Sequence, residues 1–271
     1  MERLTEEQVW NKVMLARHPK RPTAKTLIDL LIKNFIELHG DRLYRDDSSI
    51  IGGIGYLGKM PVTIIAQEKG VTTNEKIEHN FGMPHPEGYR KALRLMKQAE
   101  KFNRPIIFII DTPGAYPGIG AEERGQASAI ANNLMDMIDL KVPLISLVLS
   151  EGGSGGALAI GVSDEVWMFE NAIYSVLSPE GFASILYKDA SLAKKAALKM
   201  KLTSEDLYHY QIIDNIIPEV NEGLHENVKY SVEILRKQLI SKIKDLQSID
   251  REQLLASRYQ KYRQMSVYEE K

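Results

Sequence analysis

Apolar residues along the chain form either short continuous runs or longer periodic ones. The runs at 105–110 and 144–149 predict strands that are buried on both faces, as in a parallel sheet. Between them, apolar residues recur at helical spacing after Glu122 and Glu123, whose charge suits a helix N-terminus. Strand, helix and strand together predict a βαβ crossover. Both strands then end at one carboxyl edge, where such sheets bind ligands.

The remaining pattern predicts further elements around this unit. The predicted strands are residues 50–57, 60–66, 165–169, 173–177 and 212–217, and the predicted helices are 26–38, 88–102, 191–200, one after Ser178-Pro179, one after Thr203, and a long one over 222–263. We interpret the basic residues of helix 88–102 (Arg90, Lys91, Arg94 and Lys97) as a solvated face. The polar segment 67–87 is too long for a simple connector and is typical of a lid or binding loop.

These elements suggest three parts: an N-terminal arm at 1–25, a main domain at 26–220 and a C-terminal helical extension at 221–271. Two prolines, Pro19 and Pro22, favour an extended arm at that point. Its basic residues could bind a phosphate or a partner, but we interpret it as a solvated lead-in. The extension is interpreted as a packing arm or an oligomer contact.

Composition narrows the function classes. The chain has 271 residues, 44% hydrophobic and 26% charged, with a net charge of −1, so no overall field attracts nucleic acid or membrane. Without cysteine it can form neither a disulfide nor a thiolate metal site. No apolar run approaches the roughly 18 residues of a membrane helix, and the first residues do not resemble a signal peptide. We therefore expect a cytoplasmic protein.

A glycine-rich turn follows the strand at 144–149. Gly152, Gly153, Gly155 and Gly156 lie between this strand and a short helix-like piece, so several backbone N–H groups lack intrahelical partners. Glycine also lets a ligand approach the backbone closely. This combination predicts a site for a phosphate, a carboxylate or a developing oxyanion. We expect a side chain at Gly155 to obstruct the site.

Other chemistries fit less well. Gly152-Gly153-Ser154-Gly155-Gly156 matches the G-x-S-x-G nucleophile elbow, which leaves a serine hydrolase using Ser154 as an alternative. However, that reaction needs a histidine, and only His209 and His225 follow Ser154, neither of them in a suitable loop. A P-loop lysine, a dinucleotide fingerprint and a metal-ligand spacing are all missing. A non-catalytic scaffold also remains open.

Several motifs of five to eleven residues are specific enough to compare with known families: NFGMP at 80–84, PEGYRKA at 86–92, DTPGAYPG at 111–118, GAEERGQ at 120–126, EGGSGGALAIG at 151–161 and YSVLSPEG at 174–181. Together they resemble one family, the α subunit of the bacterial acetyl-CoA carboxylase carboxyltransferase. The resemblance implies an α/β, crotonase-like (ClpP/crotonase) fold of repeated ββα units. It also implies carboxyl transfer from carboxybiotin on a carrier protein to acetyl-CoA, giving malonyl-CoA for fatty acid biosynthesis.

The resemblance further implies partners and site residues. The partners are a β subunit, in an α2β2 heterotetramer, the biotin carboxyl carrier protein and biotin carboxylase, with a zinc site in β and no metal in this chain. Gly155 and Gly156 would offer their amides to the ureido oxygen of biotin. The candidate substrate-binding residues are Gly114, Ala115, Tyr116, Ala157, Lys69 and Arg90.

Overall fold

The continuous apolar runs do form the centre of a sheet. The computed structural model describes residues 4–220 and 223–265. Its strands are β1 (Ile32–Glu37), β2 (Ile50–Leu57), β3 (Met60–Gln67), β4 (Ile106–Thr112), β5 (Leu144–Gly153), β6 (Glu165–Phe169), β7 (Ile173–Ser175) and β8 (Asn215–Ile217). They form one eight-stranded sheet in the order β1-β2-β3-β4-β5-β6-β8, and β7 pairs with the end of β5. β1, β2 and β3 are antiparallel, whereas β3, β4, β5, β6 and β8 are parallel.

Helices cover this sheet, and the fold class is α/β as expected. They are α1 (Glu6–Ala16), α2 (Ala24–Leu31), α3 (Thr73–Glu78), α4 (Pro86–Lys101), α5 (Ile119–Glu123), α6 (Gln126–Asp139), α7 (Ser154–Leu158), α8 (Pro179–Tyr187), α9 (Ala193–Met200), α10 (Ser204–His209), α11 (Val228–Ser248) and α12 (Arg251–Gln264). Single 3-10 turns lie at Asn80–Gly82 and Ala190–Leu192. None of the described helices is both long enough and apolar enough to cross a membrane.

The core lies where β4 and β5 run side by side. Every residue of β4 is buried, and so is all of β5 except Glu151. A central parallel strand is covered on both faces, which explains the unbroken apolar runs. Because β4 and β5 are parallel neighbours, the turns that follow them lie at the same edge of the sheet.

The helix predicted at 26–38 is wrong in its second half. α2 ends at Leu31, and the chain continues as the edge strand β1, paired antiparallel with β2. A Cβ on Gly55 of β2 would overlap the side chain of Ile32, so this glycine permits close packing of the two strands. The pairing of β1 with β2, rather than the local helical pattern, decides the conformation here.

The N-terminal arm is not a solvated lead-in. Thr5 caps α1 in a capping box, and the helix buries Val9, Val13 and Ala16 against a small apolar cluster that includes Leu202. The segment around the two prolines is not an extended arm either: after α1 the chain makes a turn, in which the Arg21 amide donates to the His18 carbonyl at 2.9 Å, and α2 begins at Ala24. The division into an arm, a main domain and an extension stays a prediction.

The long C-terminal pattern forms two helices, α11 and α12, instead of one. Glu222, where the predicted helix begins, lies outside the described residues. The apolar stripe of α11 is buried in the main core cluster, at Val232, Leu235, Leu239, Ile243 and Leu246. This stripe therefore packs on the chain's own body.

The basic face predicted for helix 88–102 is only partly solvated. Lys91 is completely buried, and its ammonium donates to Asp46 Oδ1 at 2.7 Å and to the Asp47 carbonyl at 2.8 Å. Arg90 is bound to Asp41 and Glu87. The segment 67–87 contains α3 and a 3-10 turn in addition to loop.

Candidate active site

The two glycine-containing turns touch at the carboxyl edge of the sheet. A Cβ on Gly156 would lie 2.6 Å from both the Gly114 carbonyl carbon and the Ala115 amide nitrogen. A Cβ on Gly153 would overlap the Pro113 carbonyl. The short helix α7 can therefore approach the turn after β4 only because these positions are glycine.

A buried glutamine joins the same two turns, and the sequence pattern did not reveal its role. Gln67, the last residue of β3, donates from Nε2 to the Gly156 carbonyl at 2.7 Å. Its Oε1 accepts from the Asp111 amide at 3.2 Å. The sequence does show that Gln67 is a polar residue at the end of an apolar strand, which could have indicated this role. The pattern instead predicted a loop that begins at Gln67.

The first turn of α7 presents backbone donors. Gly153 precedes the helix in extended conformation, and no side chain caps it. The first N–H groups of a helix lack intrahelical acceptors. In the described part of the chain, neither the Gly155 nor the Gly156 amide donates to a side chain or to another element. The geometry thus supplies adjacent unpaired donors, as an oxyanion site requires.

Gly155 and Gly156 differ in the room that they leave for a side chain. A Cβ on Gly155 would lie 3.8 Å from the side chain of Ile130, an ordinary van der Waals distance. A methyl group at Gly155 would therefore not clash with the chain itself, and the expectation that a side chain there obstructs the site stays a prediction. Close approach to the neighbouring turn requires glycine at 156.

An apolar pocket of about 380 Å³ opens beside Ser154 and Gly155. Its other walls include Leu158, Tyr174, Val176, Leu207, Ile212 and Tyr262. Burial raises the pKa of Tyr174 to about 12 and also raises the pKa of Tyr262. No Asp, Glu, Lys, Arg or His side chain from the described residues lines this pocket, so a ligand there would meet apolar surface and neutral hydroxyls. Tyr262 belongs to α12, a contribution that the sequence pattern did not indicate.

The turn after β4 holds three of the predicted substrate-binding residues next to Gly156. Thr112 Oγ1 donates to the Gly114 carbonyl at 2.7 Å and accepts from the Gly114 amide at 3.0 Å, which fixes the turn. Ala115 is half-buried, and the ring of Tyr116 stacks on His85 with centroids 4.1 Å apart. The Gly114 amide is consequently occupied within the turn.

The other three candidate substrate-binding residues are either buried or already paired with a carboxylate. Ala157 is fully buried in the main core. Lys69 pairs with Asp111 Oδ1 at 3.0 Å; burial raises the pKa of Asp111, whereas Lys69 opposes that rise. The Arg90 guanidinium is bound to Asp41 Oδ2 at 2.8 Å. The roles of these three residues in substrate binding stay predictions.

A serine hydrolase is not supported. Ser154 is exposed and has the left-handed φ of 56° that an elbow serine would need. However, within residues 4–220 and 223–265 no side chain hydrogen-bonds to its hydroxyl, and no histidine lines the adjoining pocket. Among the described residues, no side chain is therefore placed to act as the general base of a hydrolase. The same part of the chain contains no group of three or more potential metal ligands.

Comparison with known proteins agrees with this geometry. Residues 2–266 match the family described as acetyl co-enzyme A carboxylase carboxyltransferase-like. The acetyl-coenzyme A carboxylase carboxyl transferase subunit alpha of Clostridium botulinum (strain Eklund 17B / Type B) is 56% identical over 260 residues, 96% of this chain and 95% of that relative. The subunits beta/alpha protein of Clostridium tetani is 59% identical over 97% of this chain, which spans about half (46%) of that longer relative.

Solved structures show the same fold at low sequence identity. Transcarboxylase 12S superposes with a TM-score of 0.63 at 17% identity, covering 81% of this chain and 44% of that one. A Pseudomonas malonate decarboxylase heterotetramer in complex with coenzyme A also gives 0.63 at 17% identity, with 79% and 85% covered. The fold is thus crotonase-like, and the match to the family model places the chain in the class of carboxyltransferase-like proteins. Within that class, the chain belongs to the acetyl-CoA carboxylase carboxyltransferase family, and its near full-length relatives are α subunits.

Proposed function

We propose that this chain binds carboxybiotin, carried on a biotin carboxyl carrier protein, and directs its carboxyl group to acetyl-CoA, forming malonyl-CoA. The observation that supports this most is the unpaired amide of Gly155, which lines an apolar pocket without charged side chains, followed directly in the chain by the unpaired amide of Gly156. Such a pocket suits the apolar body of biotin, and the amides suit its ureido oxygen.

The proposed reaction needs hydrogen-bond donors for the ureido oxygen, and it does not need a general base from the protein. When the N–carboxyl bond of carboxybiotin breaks, CO2 leaves and negative charge develops on the ureido oxygen. Pre-oriented N–H groups stabilise that charge without reorganising. The biotin anion then takes a proton from the acetyl methyl group, and the resulting enolate carbon attacks CO2. Tyr174 lines this pocket as a neutral phenol, because burial raises its pKa to about 12, and it therefore adds no negative charge beside the anion.

A second subunit would complete the site. Carboxyl transfer creates a second charge, on the thioester enolate, which must face the first. In the described residues, the turn at Gly114 adjoins α7, so we propose that it belongs to the same site and does not form a separate, facing one. We propose that a β subunit supplies the facing wall in an α2β2 assembly, together with the zinc site, and that biotin carboxylase regenerates carboxybiotin.

The direct experiment titrates the purified chain with purified β subunit, using carboxybiotin carrier and acetyl-CoA as substrates. Malonyl-CoA formation should rise from background and saturate near a one-to-one ratio, because each half contributes one oxyanion site. Full turnover by this chain alone would refute the shared site. No malonyl-CoA at any ratio would refute the proposed reaction.

A substitution at Ser154 distinguishes the proposed transferase from a serine hydrolase. Ser154→Ala removes only a hydroxyl that has no described partner, so most malonyl-CoA formation should remain. A loss beyond about a thousandfold, towards the scale of a deleted nucleophile, would favour covalent catalysis by Ser154.

A further inference from the structure

β5 carries a bulge directly before its glycine turn. β4 and β5 stay in register as far as Ile110 opposite Val148, but the next pair is Thr112 opposite Gly152. One residue of β4 therefore faces three of β5, Leu149–Glu151. A bulge interrupts the ladder and re-aims the strand, so its backbone needs other partners.

Arg21, from the segment after α1, supplies partners to the first half of this bulge. Its guanidinium donates to the Leu149 carbonyl from Nη2 at 2.7 Å and from Nε at 3.2 Å, and Nε also lies 3.2 Å from Ser150 Oγ. Its buried counterion is Glu219, which accepts two hydrogen bonds at 2.7 and 3.0 Å. The Arg21 side chain is 0% exposed, so this contact is made inside the protein.

Arg17 holds the second half of the bulge. Its Nε donates to Glu151 Oε2 at 2.8 Å, and its Nη1 donates to Glu180 Oε1 at 2.7 Å in the first turn of α8. The Glu151 amide in turn lies 3.3 Å from Asp111 Oδ1. Arg17 thereby connects the bulge to the element that follows β7, the strand that pairs with Gly152 and Gly153.

We infer that Arg17 and Arg21 are positioning residues for carboxyl transfer. They hold Leu149–Glu151, and the bulge sets the direction in which the chain enters Gly152–Gly156, hence the aim of the Gly155 and Gly156 amides. Neither arginine touches the reacting atoms. This inference rests on the proposed function, because it assigns those amides to the oxyanion.

Arg17 is the better residue to test, because its side chain is 27% exposed and its loss leaves no fully buried charge. In the complex with β subunit, Arg17→Gln should lower kcat about 10- to 100-fold, the scale of a small misplacement of catalytic groups. KM for acetyl-CoA should stay within about twofold, because the proposed function places the acetyl thioester against the β subunit. Arg17→Lys can contact one carboxylate and should recover part of kcat.

A control on the same segment separates positioning from stability. Lys12 of α1 pairs with Glu205 Oε1 at 2.7 Å and also donates to the Glu170 carbonyl and to Asn171 Oδ1, but it contacts neither Arg17 nor Leu149–Glu151, so Lys12→Gln should reduce stability without lowering kcat. A loss of kcat in Arg17→Gln no larger than in Lys12→Gln would overturn the inference. So would additive effects of Arg17→Gln and Glu151→Gln, since residues acting through one contact are non-additive. A wild-type complex that forms no malonyl-CoA would instead refute the proposed function.

Discussion

Gly155 and Gly156 are adjacent in sequence, but they meet different surroundings. The space around Gly155 is open towards Ile130, whereas Gly156 touches the backbone of the Gly114 turn. Four glycines in five residues indicate close approach somewhere, but they do not indicate which position cannot carry a Cβ. That distinction depends on how two separate turns meet in space.

We therefore expect Gly156→Ala to force the turns apart, with a loss of about 1–3 kcal/mol in the free energy of unfolding. Malonyl-CoA formation in the assembled complex should fall about 10²–10³-fold as the donors tilt. Denaturant titration and turnover measure the two effects. The stability control is Gly155→Ala, which should stay within about 1 kcal/mol of the wild type. Equal stabilities for the two variants would contradict this steric account.

Asp46 gives the molecule a pH-dependent contact. Burial opposes ionisation of Asp46, but the hydrogen bonds from Lys91 and from the Gly40 amide outweigh burial and lower its pKa to about 2. A carboxylate with a depressed pKa stabilises the folded state above its ordinary pKa, near 4. That contribution is lost as pH falls from about 4 through 2.

Asp46→Asn removes this titration. The free energy of unfolding of the wild type should decrease more steeply between pH 4 and 2 than that of the variant, since only the wild type must protonate Asp46. Urea unfolding at a series of pH values measures both slopes. Parallel curves over that interval would show that Asp46 does not carry the effect.

At the scale of elements, the helix α11 shows why periodicity alone does not identify a partner. Its apolar stripe predicted a helix correctly, but a stripe fits the chain's own core as well as another subunit. The structure buries Leu235, Leu239 and Ile243 completely in the main cluster.

Leu239→Ala should therefore lower the free energy of unfolding by about 2–5 kcal/mol, the usual result of a cavity in a packed core. Lys244→Ala, on the exposed side of the same helix, should change it by less than about 0.5 kcal/mol. Guanidinium unfolding of the isolated chain measures both. A small effect of Leu239→Ala in that experiment would argue that the stripe is not packed on the body.

Over the whole molecule, Arg258 of α12 joins the C-terminal helices to the segments that lead into β5 and β6. Its side chain is 0% exposed and binds both carboxylate oxygens of Asp164, at 2.7 and 2.9 Å. It also donates to the carbonyls of Met137, Leu140 and Val142, around the connection from α6 to β5. One side chain thus links α12, the loop before β6 and the βαβ crossover.

Arg258→Met should lower the free energy of unfolding by about 3–5 kcal/mol, because it leaves the buried Asp164 carboxylate without its cation and three carbonyls without the donors of Arg258. Arg263→Met, on the exposed side of α12, is the matched control and should be close to neutral. Thermal and denaturant unfolding measure the difference. A neutral result at Arg258 would mean that α12 does not secure the crossover.

The local sequence pattern was sufficient to predict much of the fold and the position of the candidate site. The continuous runs of β4 and β5 identify buried parallel strands, and the glycine turns, the cap of α8 and the shared carboxyl edge follow from the same local rules. The motifs around residues 111–126 and 151–161 were specific enough to indicate the family, which the comparisons confirm.

Contacts between distant residues decided the rest. β1 is a strand because β2 offers an edge to pair with, although its own pattern is helical. Gln67 joins the two turns, Arg17 and Arg21 reach the bulge of β5, and Tyr262 lines the pocket, each from a part of the chain remote in sequence. Periodicity reports only the face that an element buries. Which surface covers that face, and which side chain reaches a strand end, depends on packing in three dimensions.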